Sequence, residues 1–503
     1  MPEQIPPVLA HFEEKIRRAL GSSLDVRYRP FVASLNGERR GLLIYLDGLA
    51  DEKKVQEVLK GVIQHTQPPF EPQQISPDPM ELLRKAVLCQ AEVQPSRQFS
   101  ACVEAVMVGR TVLALDGSSQ VLLISTTGNP GRSVQEPSAE KEVQGPRDGF
   151  VEHLPSNLAL IRRRIRDPRL QIQSIQVGQR TKTTIAIAYL KDVAGEELIA
   201  EVRKRLEEIR IDAIHGAGAL EELIRDSPST PFPLIHLTER PDRAAANILE
   251  GRVVIATDNS PFVMIVPTSF WGLFQAAGDY YQHYLISTAY RVLRIMAFLV
   301  ALTLPAAYVM LTTFHHEMLP TPLALTVASG REGTPFPTVL EVLLMEVMFE
   351  VMHEAGLRLP TAVGQTVSIV GALVIGDAAV QAGLIAPGTV MVVASTGIAG
   401  FALPSYPVSL AVRFVRFGML ILAGTLGVFG FLLGTSILAL HMTSLRSFGV
   451  PYLAPYAPYR PSEQEDSAMR APWWRLRARP DMGAGGSVHQ APDQQPEAPG
   501  ARQ

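Results

Sequence analysis

The sequence predicts an α/β N-terminal region of two small α/β subdomains, followed by an α-helical multi-span membrane domain. Three observations carry this. Residues 1–290 are dense in Arg, Lys, Glu and Asp, whereas Ile295–His316 and Phe417–Leu445 contain none, and Ala362–Val412 contains only Asp377. Uncharged apolar runs of about 20 residues are long enough to span a bilayer. In the charged half, short β-like runs alternate with stretches of helical period, the pattern of mixed α/β units.

The elements follow in order. Leu24–Asp51 reads as two strands around a turn at Asn36-Gly37, and "EKKVQEVLKGVIQ" after it has a helical apolar stripe. Arg110–Thr126 is a hairpin around Asp116-Gly117 that closes a first subdomain near residue 126. Residues 127–147, rich in Pro, Gly and charge, read as a linker. A second subdomain and the helix leading into the membrane occupy 148–290. They comprise a basic helix at Asn157–Asp167, a strand at Thr181–Ala194, a helix at Gly195–Asp212 and a strand pair at Gly251–Pro267. Phe270–Arg294 is rich in aromatics, including Trp271, Tyr280, Tyr281, Tyr284 and Tyr290; a headgroup-level belt and a plain amphipathic core helix both fit.

The membrane domain spans 291–445, with four to five membrane helices. Four apolar spans are expected, at Val292–Thr313 (with Pro305 inside), Val363–Ile385, Gly388–Leu403 and Phe417–Leu440. The last carries Gly424, Gly427, Gly430 and Gly434, small residues that let helices approach closely. The tail, 446–503, is expected to be disordered beyond about 461. Its "PWWRLRARP" fits either contact with an anionic membrane surface or a solvated patch.

"LEVLLMEVMFEVMHEAG" (Leu340–Gly356) poses a problem of solvent. At 100° per residue Glu346, Glu350 and Glu354 fall within about 80° of one another, with His353 beside them and Glu341 nearly opposite. Three or four ionised carboxylates at mid-bilayer cost roughly 8–14 kcal/mol, and about ten apolar residues return only about 3–6 kcal/mol. Open lipid is therefore rejected. Two placements satisfy the arithmetic: the interface plane, or a protein-lined cavity where the stripe attracts cations. An amphipathic brace for the bundle is the plain alternative. Asp377, with Gln381 one turn on, is a site candidate as a lone carboxylate in an apolar span; an Asp capped by other protein is its plain counterpart. The candidate cation path is thus Glu346, Glu350, Glu354, His353, Asp377 and Gln381. Gly424, Gly427, Gly430 and Gly434 are candidates for helix packing.

Other function classes are excluded by what the chain lacks. The net charge of -3 does not suggest nucleic-acid binding. There is no Ser-His-Asp order, Walker loop, HExxH or CxxC, so neither an enzyme nor a metal or cofactor is expected. The two cysteines, Cys89 and Cys102, read as idle thiols of a reducing compartment. Met1 and Pro2 lead into no apolar signal region, and Arg291 and Arg294 before the first span place the N-terminal region in the cytoplasm. With four spans both termini share that side and Arg413 and Arg416 face out; with five the two arginines move in and the tail moves out.

Nine strings carry a resemblance: "GPRDGF", "LIRRRIRDPRL", "TKTTIAIAYL", "TERPDRAAANILEGRVVI", "SPFVMIVPTSFW", "TTFHHEMLPTPL", "REGTPFPTVLEVLLMEVMFEVMHEAGLRLP", "GQTVSIVGALVIGDAAVQAG" and "SLRSFGVPYLAPYAP". In this order, over about residues 10–460, the chain resembles the GerA family, the A subunits of spore germinant receptors. The resemblance implies a multi-pass protein of the spore inner membrane that partners a permease-like B subunit and a lipoprotein C subunit. It also implies a homo-oligomer, a pentamer in the fullest reading, that passes monovalent cations when a nutrient is sensed. The family includes paralogues that amplify ion release; "FHHEMLPTPL" and "RPDRAAANILEGR" resemble the receptor subunits more. "AAGDYY" (Ala276–Tyr281) departs from the family's "SPEDYY"-like wording. A non-conducting scaffold subunit is the alternative function.

Overall fold

The computed structural model of the protein describes residues 3–21, 23–34, 38–64, 78–88, 92–128, 136–358, 376–476 and 479–481. The chain divides into two compact units, one of residues 3–225 and 235–267, the other of 226–234 and 268–476.

The first unit holds two sheets. The first subdomain runs α1 (Leu9–Leu20), β1 (Val26–Ser34), β2 (Glu38–Leu46), α2 (Glu52–Gln64), α3 (Pro79–Leu82), β3 (Val93–Ser96), α4 (Phe99–Met107), β4 (Thr111–Leu115) and β5 (Val121–Ile124). The second runs α5 (Leu154–Arg164), β6 (Leu170–Val177), β7 (Thr183–Leu190), α6 (Glu196–Glu208), α7 (Ala217–Ile224), β8 (His236–Thr238), α8 (Pro241–Leu249), β9 (Val253–Thr257) and β10 (Val263–Val266). Both sheets are antiparallel, in the orders β1-β2-β4-β5-β3 and β6-β7-β9-β10-β8. These are one topology used twice. The repeat was legible in the chain: "GRTVLAL" at Gly109 and "GRVVIAT" at Gly251 open corresponding strands, and "YLDGLAD" and "YLKDVAG" follow β2 and β7.

Strand alternation explains the run-on apolar strands. Leu42, Ile44, Val112 and Ala114 face α1 and α4, packing with Phe12, Ile16, Cys102 and Val106. Leu43, Leu113 and Leu115 face α2, packing with Val55, Val58 and Val62. A sheet covered on both sides needs apolar residues at every position rather than every second one. The β1–β2 register closes at Ser34 opposite Glu38; the expected Asn36-Gly37 turn lies outside the described residues.

The two subdomains are locked by a buried ion pair. Arg162 of α5 donates from Nε to Asp25 Oδ2 at 2.8 Å and from Nη2 to Asp25 Oδ1 at 2.9 Å, and Ser23 Oγ joins the cluster. The stretch 136–147, read as linker, is strapped down. Glu140 accepts from Thr238 Oγ1 and Arg243 Nη1, and Arg240 donates to the carbonyl of Pro146. Cys102 is buried and donates to the Gln98 carbonyl, and burial pushes its thiol up to about 12. Cys89 lies outside the described residues.

The second unit is helical: α9 (Tyr284–Thr313), α10 (Thr321–Arg331), α11 (Thr338–Arg358), α12 (Gly376–Gln381), α13 (Pro387–Phe401) and α14 (Tyr406–Ser444). Among the described residues, α9 and α14 are the helices long and apolar enough to cross a membrane. The span expected at Val363–Ile385 lies mostly outside the described residues. That expected at Gly388–Leu403 is the 15-residue α13, about 22 Å long and shorter than the roughly 30 Å hydrocarbon core.

The span expected at Phe417–Leu440 requires correction. α14 reverses at Gly427, whose φ of 62° and ψ of -136° break the helix. A Cβ on Gly430 would stand 1.9 Å from the Leu422 carbonyl oxygen, and one on Gly434 would stand 2.6 Å from Met419 Sδ. Met442 shares a core cluster with Val408 and Val412. Residues eight to thirty-odd apart in sequence meet this way only if arms 406–426 and 428–444 fold back as an antiparallel hairpin. Each arm is about 25–31 Å long, so the hairpin, not one helix, matches the bilayer.

The reversal fixes which end of the bundle the chain returns to. Tyr452 packs against Phe270, whose ring meets Phe298 midway along α9. Asp466 accepts from Arg291 and Tyr280, and Arg470 donates to the Gln282 carbonyl. Residues 461–476, expected to be disordered, are instead held against the base of α9. The reason is specific chemistry in a Pro-rich segment: Asp466, Arg470 and the Trp473 ring meet Tyr280 and Arg291. Phe270–Arg294 is likewise not one helix. It holds 3-10 turns at Trp271–Phe274 and Ala277–Tyr280 before α9 begins, and Asp279 of "AAGDYY" pairs with both Arg291 and Arg294.

Candidate functional site

The acidic stripe lies on α11, which is wedged among α9, α13 and the first arm of α14. Val342 clusters with Val309, Val393 and Leu420. Val339 fills the space over Gly424, and Phe349 that over Gly397. α11 and the first arm run antiparallel, so side chains four apart on one meet side chains three apart on the other.

Two ion pairs follow from that register. Glu346 Oε2 stands 2.8 Å from Arg416 Nη2, with side chains 1% and 4% exposed. Glu350 Oε1 accepts from Arg413 Nη1 at 3.1 Å, with Glu350 37% exposed. Glu354 accepts from Arg358 on its own helix and both are exposed. Burial thus grades along α11 from its first turns to its last. Arg416 falls between the layer of Leu302 with Val412 and the layer of Ala306 with Met419. That is about midway along the uncharged stretch Ile295–His316 of α9.

Pairing supplies what the sequence arithmetic lacked. An isolated carboxylate at this depth costs about 2.5–3.5 kcal/mol, but a carboxylate beside a guanidinium is a neutral dipole on which each partner offsets the other's lost hydration. Glu346 is therefore enclosed with its partner, while Glu350 is paired but still opens onto the surface. Arg413 and Arg416 were visible only as charges bearing on topology. The signal that could have found their role was spacing: Arg413 and Arg416 match Glu350 and Glu346 in an antiparallel pair of helices.

Glu341, on the opposite face, is fully buried. Its Oε2 accepts from the Ala386 amide at 3.0 Å and from Thr389 Oγ1 at 3.1 Å. It caps α13 from outside, where unsatisfied amides and the helix dipole favour an anion. His353 stacks near Phe401, ring centroids 5.4 Å apart, on the Glu350 side of the helix. Asp377 and Gln381 are joined by a 2.7 Å hydrogen bond and are exposed on α12. The structure therefore brings Glu346, Glu350 and His353 together on the buried side of α11 and leaves Glu354, Asp377 and Gln381 outside that cluster. A cleft of about 600 Å³ between α11 and the first arm is lined by Val347, Glu350, Val351, Glu354, Ala355, Arg358 and Phe417. Among the described residues no three His, Cys, Asp or Glu side chains gather as a metal site would require.

The four candidate packing glycines each have a neighbour. Gly424 meets Val339, Gly427 meets Phe314 and His315, Gly430 meets the Leu422 carbonyl, and Gly434 meets Met419. His315 Nε2 accepts from the Val428 amide at 3.3 Å, closing the hairpin tip against the end of α9.

Comparison with known proteins accords with this architecture. Residues 14–482 match the family described as Bacillus/Clostridium GerA spore germination protein. The chain is similar to "Spore germination protein KA" of Bacillus subtilis, 40% identical over 503 residues, covering 100% of this chain and 91% of that protein. It is similar to "Uncharacterized membrane protein YfkQ" of the same organism, 41% identical over 477 residues, covering 95% and 91%. A crystal structure of the N-terminal domain of the A subunit of the Bacillus megaterium spore germinant receptor GerK3 matches 54% of this chain and 98% of its own, at 29% identity and a TM-score of 0.44.

Proposed function

The chain belongs to the GerA family of spore germination proteins, and from that premise we propose that, as the A subunit of a spore germinant receptor, it forms an oligomeric, nutrient-gated path for monovalent cations. The observation that supports this reading is the α11 row of Glu346, Glu350 and Glu354, of which Glu346 and Glu350 meet Arg416 and Arg413 of the neighbouring first arm of α14. Carboxylates in a low-dielectric bundle attract cations and repel anions. In the proposal the path follows that row and His353, with Asp377 and Gln381 as a second polar station near the α13 N-terminus. The receptor partners are a permease-like B subunit and a lipoprotein C subunit, the oligomer is a pentamer, and the site of action is the spore inner membrane with the N-terminal unit in the cytoplasm.

One observation favours a second reading, a non-conducting scaffold. Glu346 and Glu350 are already neutralised by Arg416 and Arg413 within one chain, as in a bundle built only to hold together. Spores carrying E346Q/E350Q/E354Q separate the two. On the channel reading, potassium release after nutrient addition slows at least tenfold while the protein stays in the membrane. Release at the wild-type rate refutes a path along α11 and leaves the scaffold.

A further inference from the structure

Arg413 and Arg416 of the first arm of α14 each stand against a carboxylate of α11. We propose that Arg413 and Arg416 are built-in counter-ions that keep the α11 carboxylates occupied in the resting protein, so that a cation passes only when the first arm of α14 withdraws them. This rests on the cation-path reading above and assigns its regulation.

Three features of the geometry support it. Both pairs join the same two elements, α11 and the arm 406–426, so one relative movement of the two helices breaks both. The Arg416–Glu346 pair is almost wholly enclosed, and in such low-dielectric surroundings a bare carboxylate strongly attracts a passing cation while a guanidinium on it obstructs one.

The third feature is that the pairs are underbonded. Neither oxygen of Glu346 receives an aligned hydrogen bond, and Glu350 Oε2, Arg416 Nε and His353 Nε2 are also without one. Contrast Arg162 with Asp25, which share two aligned bonds and a serine hydroxyl. The desolvation of a buried pair with few hydrogen bonds is less fully offset than that of a saturated one. A pair joined mainly by charge parts with fewer bonds lost, as a releasable contact requires. Among the described residues, the charged and titratable groups facing the pairs are His353 and Glu354 from α11 and the two arginines from the arm, while α9 brings Tyr308 and Val309 and α13 brings Val393 to the neighbouring cluster.

The test measures resting potassium efflux from liposomes bearing the full-length chain, and from dormant spores before nutrient. R413Q/R416Q uncovers two carboxylates and is expected to raise resting efflux at least tenfold. R413K/R416K, which keeps the charge, stays at the wild-type level, and E346Q/E350Q/R413Q/R416Q, with nothing left to attract a cation, returns to it. If R413Q/R416Q fails to reach the membrane, R413Q alone, whose partner Glu350 is half-exposed, shows a smaller rise of at least threefold. Wild-type resting efflux in the membrane-resident glutamine variant, or equal leaks in the lysine and glutamine variants, overturns the proposal. Failure of this inference alone is recognised when nutrient-evoked release still depends on Glu346, Glu350 and Glu354. If that release is independent of them, the cation-path reading falls and takes this one with it.

Discussion

Placing a methyl group on Gly430 tests the helical hairpin directly. The Cβ would lie 1.9 Å from the Leu422 carbonyl oxygen and 2.6 Å from its carbon, both backbone atoms of the opposite arm. The arms must part by about 1.5 Å to reach the 3.4 Å of ordinary contact. Forcing one carbon into a packed interface costs about 1–3 kcal/mol. Gly418 is the internal control, since nothing lies within 4 Å of its Cβ position. G418A gains about 0.5–1 kcal/mol of helix preference, a gain G430A shares, so the comparison isolates the contact. G430A should therefore melt about 2–12 °C below G418A. The assay heats the full-length protein in nanodiscs and measures the fraction that remains monodisperse. G434A should fall between them, because the Met419 thioether it meets at 2.6 Å can rotate away. Equal midpoints for G430A and G418A would show that the arms do not touch at Gly430, and the antiparallel hairpin would have to be abandoned.

Three further outcomes follow. E341Q keeps the shape but removes the charge that caps α13 through the Ala386 amide and Thr389; it should lose about 0.5–2 kcal/mol in the same melting assay. R162M strands Asp25 in a buried site and should cost about 3–5 kcal/mol, whereas the R162M/D25L pair should recover much of that, as read by a double-mutant cycle of urea midpoints for the first unit's transition. His236 is buried with its imidazole held well below the usual histidine range, first by burial and then by Arg243 and Arg252. Its folded form is neutral, so its contribution is complete above the unfolded value near 6.5 and is lost as pH falls below it, at up to about 1.4 kcal/mol per pH unit until the folded value is reached; H236Q should flatten the acid limb of a stability profile.

Much of the candidate site could be read in the chain, and the unread part has a common cause. The helical period placed Glu346, Glu350 and Glu354 on one face and Glu341 on the other, and α11 has that arrangement. Glu341, on that other face, accepts from the Ala386 amide at the start of α13. The arithmetic that rejected open lipid treated each carboxylate as alone, because nothing local to α11 names Arg413 and Arg416, more than sixty residues away, as its partners. The duplication of the subdomain rests on short corresponding strings such as "GRTVLAL" and "GRVVIAT", which local period alone does not relate to each other because they lie more than a hundred residues apart.

By itself the sequence determined composition-driven properties: a charged α/β half, an apolar helical half, and the faces of each helix. These depend on short-range period and on transfer between solvents, which each residue carries with it. Only the tertiary structure decided the pairings. A 39-residue apolar run is as good a single helix as a hairpin until Gly427 adopts its left-handed conformation and Gly430 lets Leu422 approach. A Pro-rich tail is disordered by composition until Asp466 finds Arg291 and Tyr280. A carboxylate enclosed among apolar helices is costly until a guanidinium stands 2.8 Å away. In each case the deciding energy belongs to a contact between distant residues, which no single segment of the chain contains.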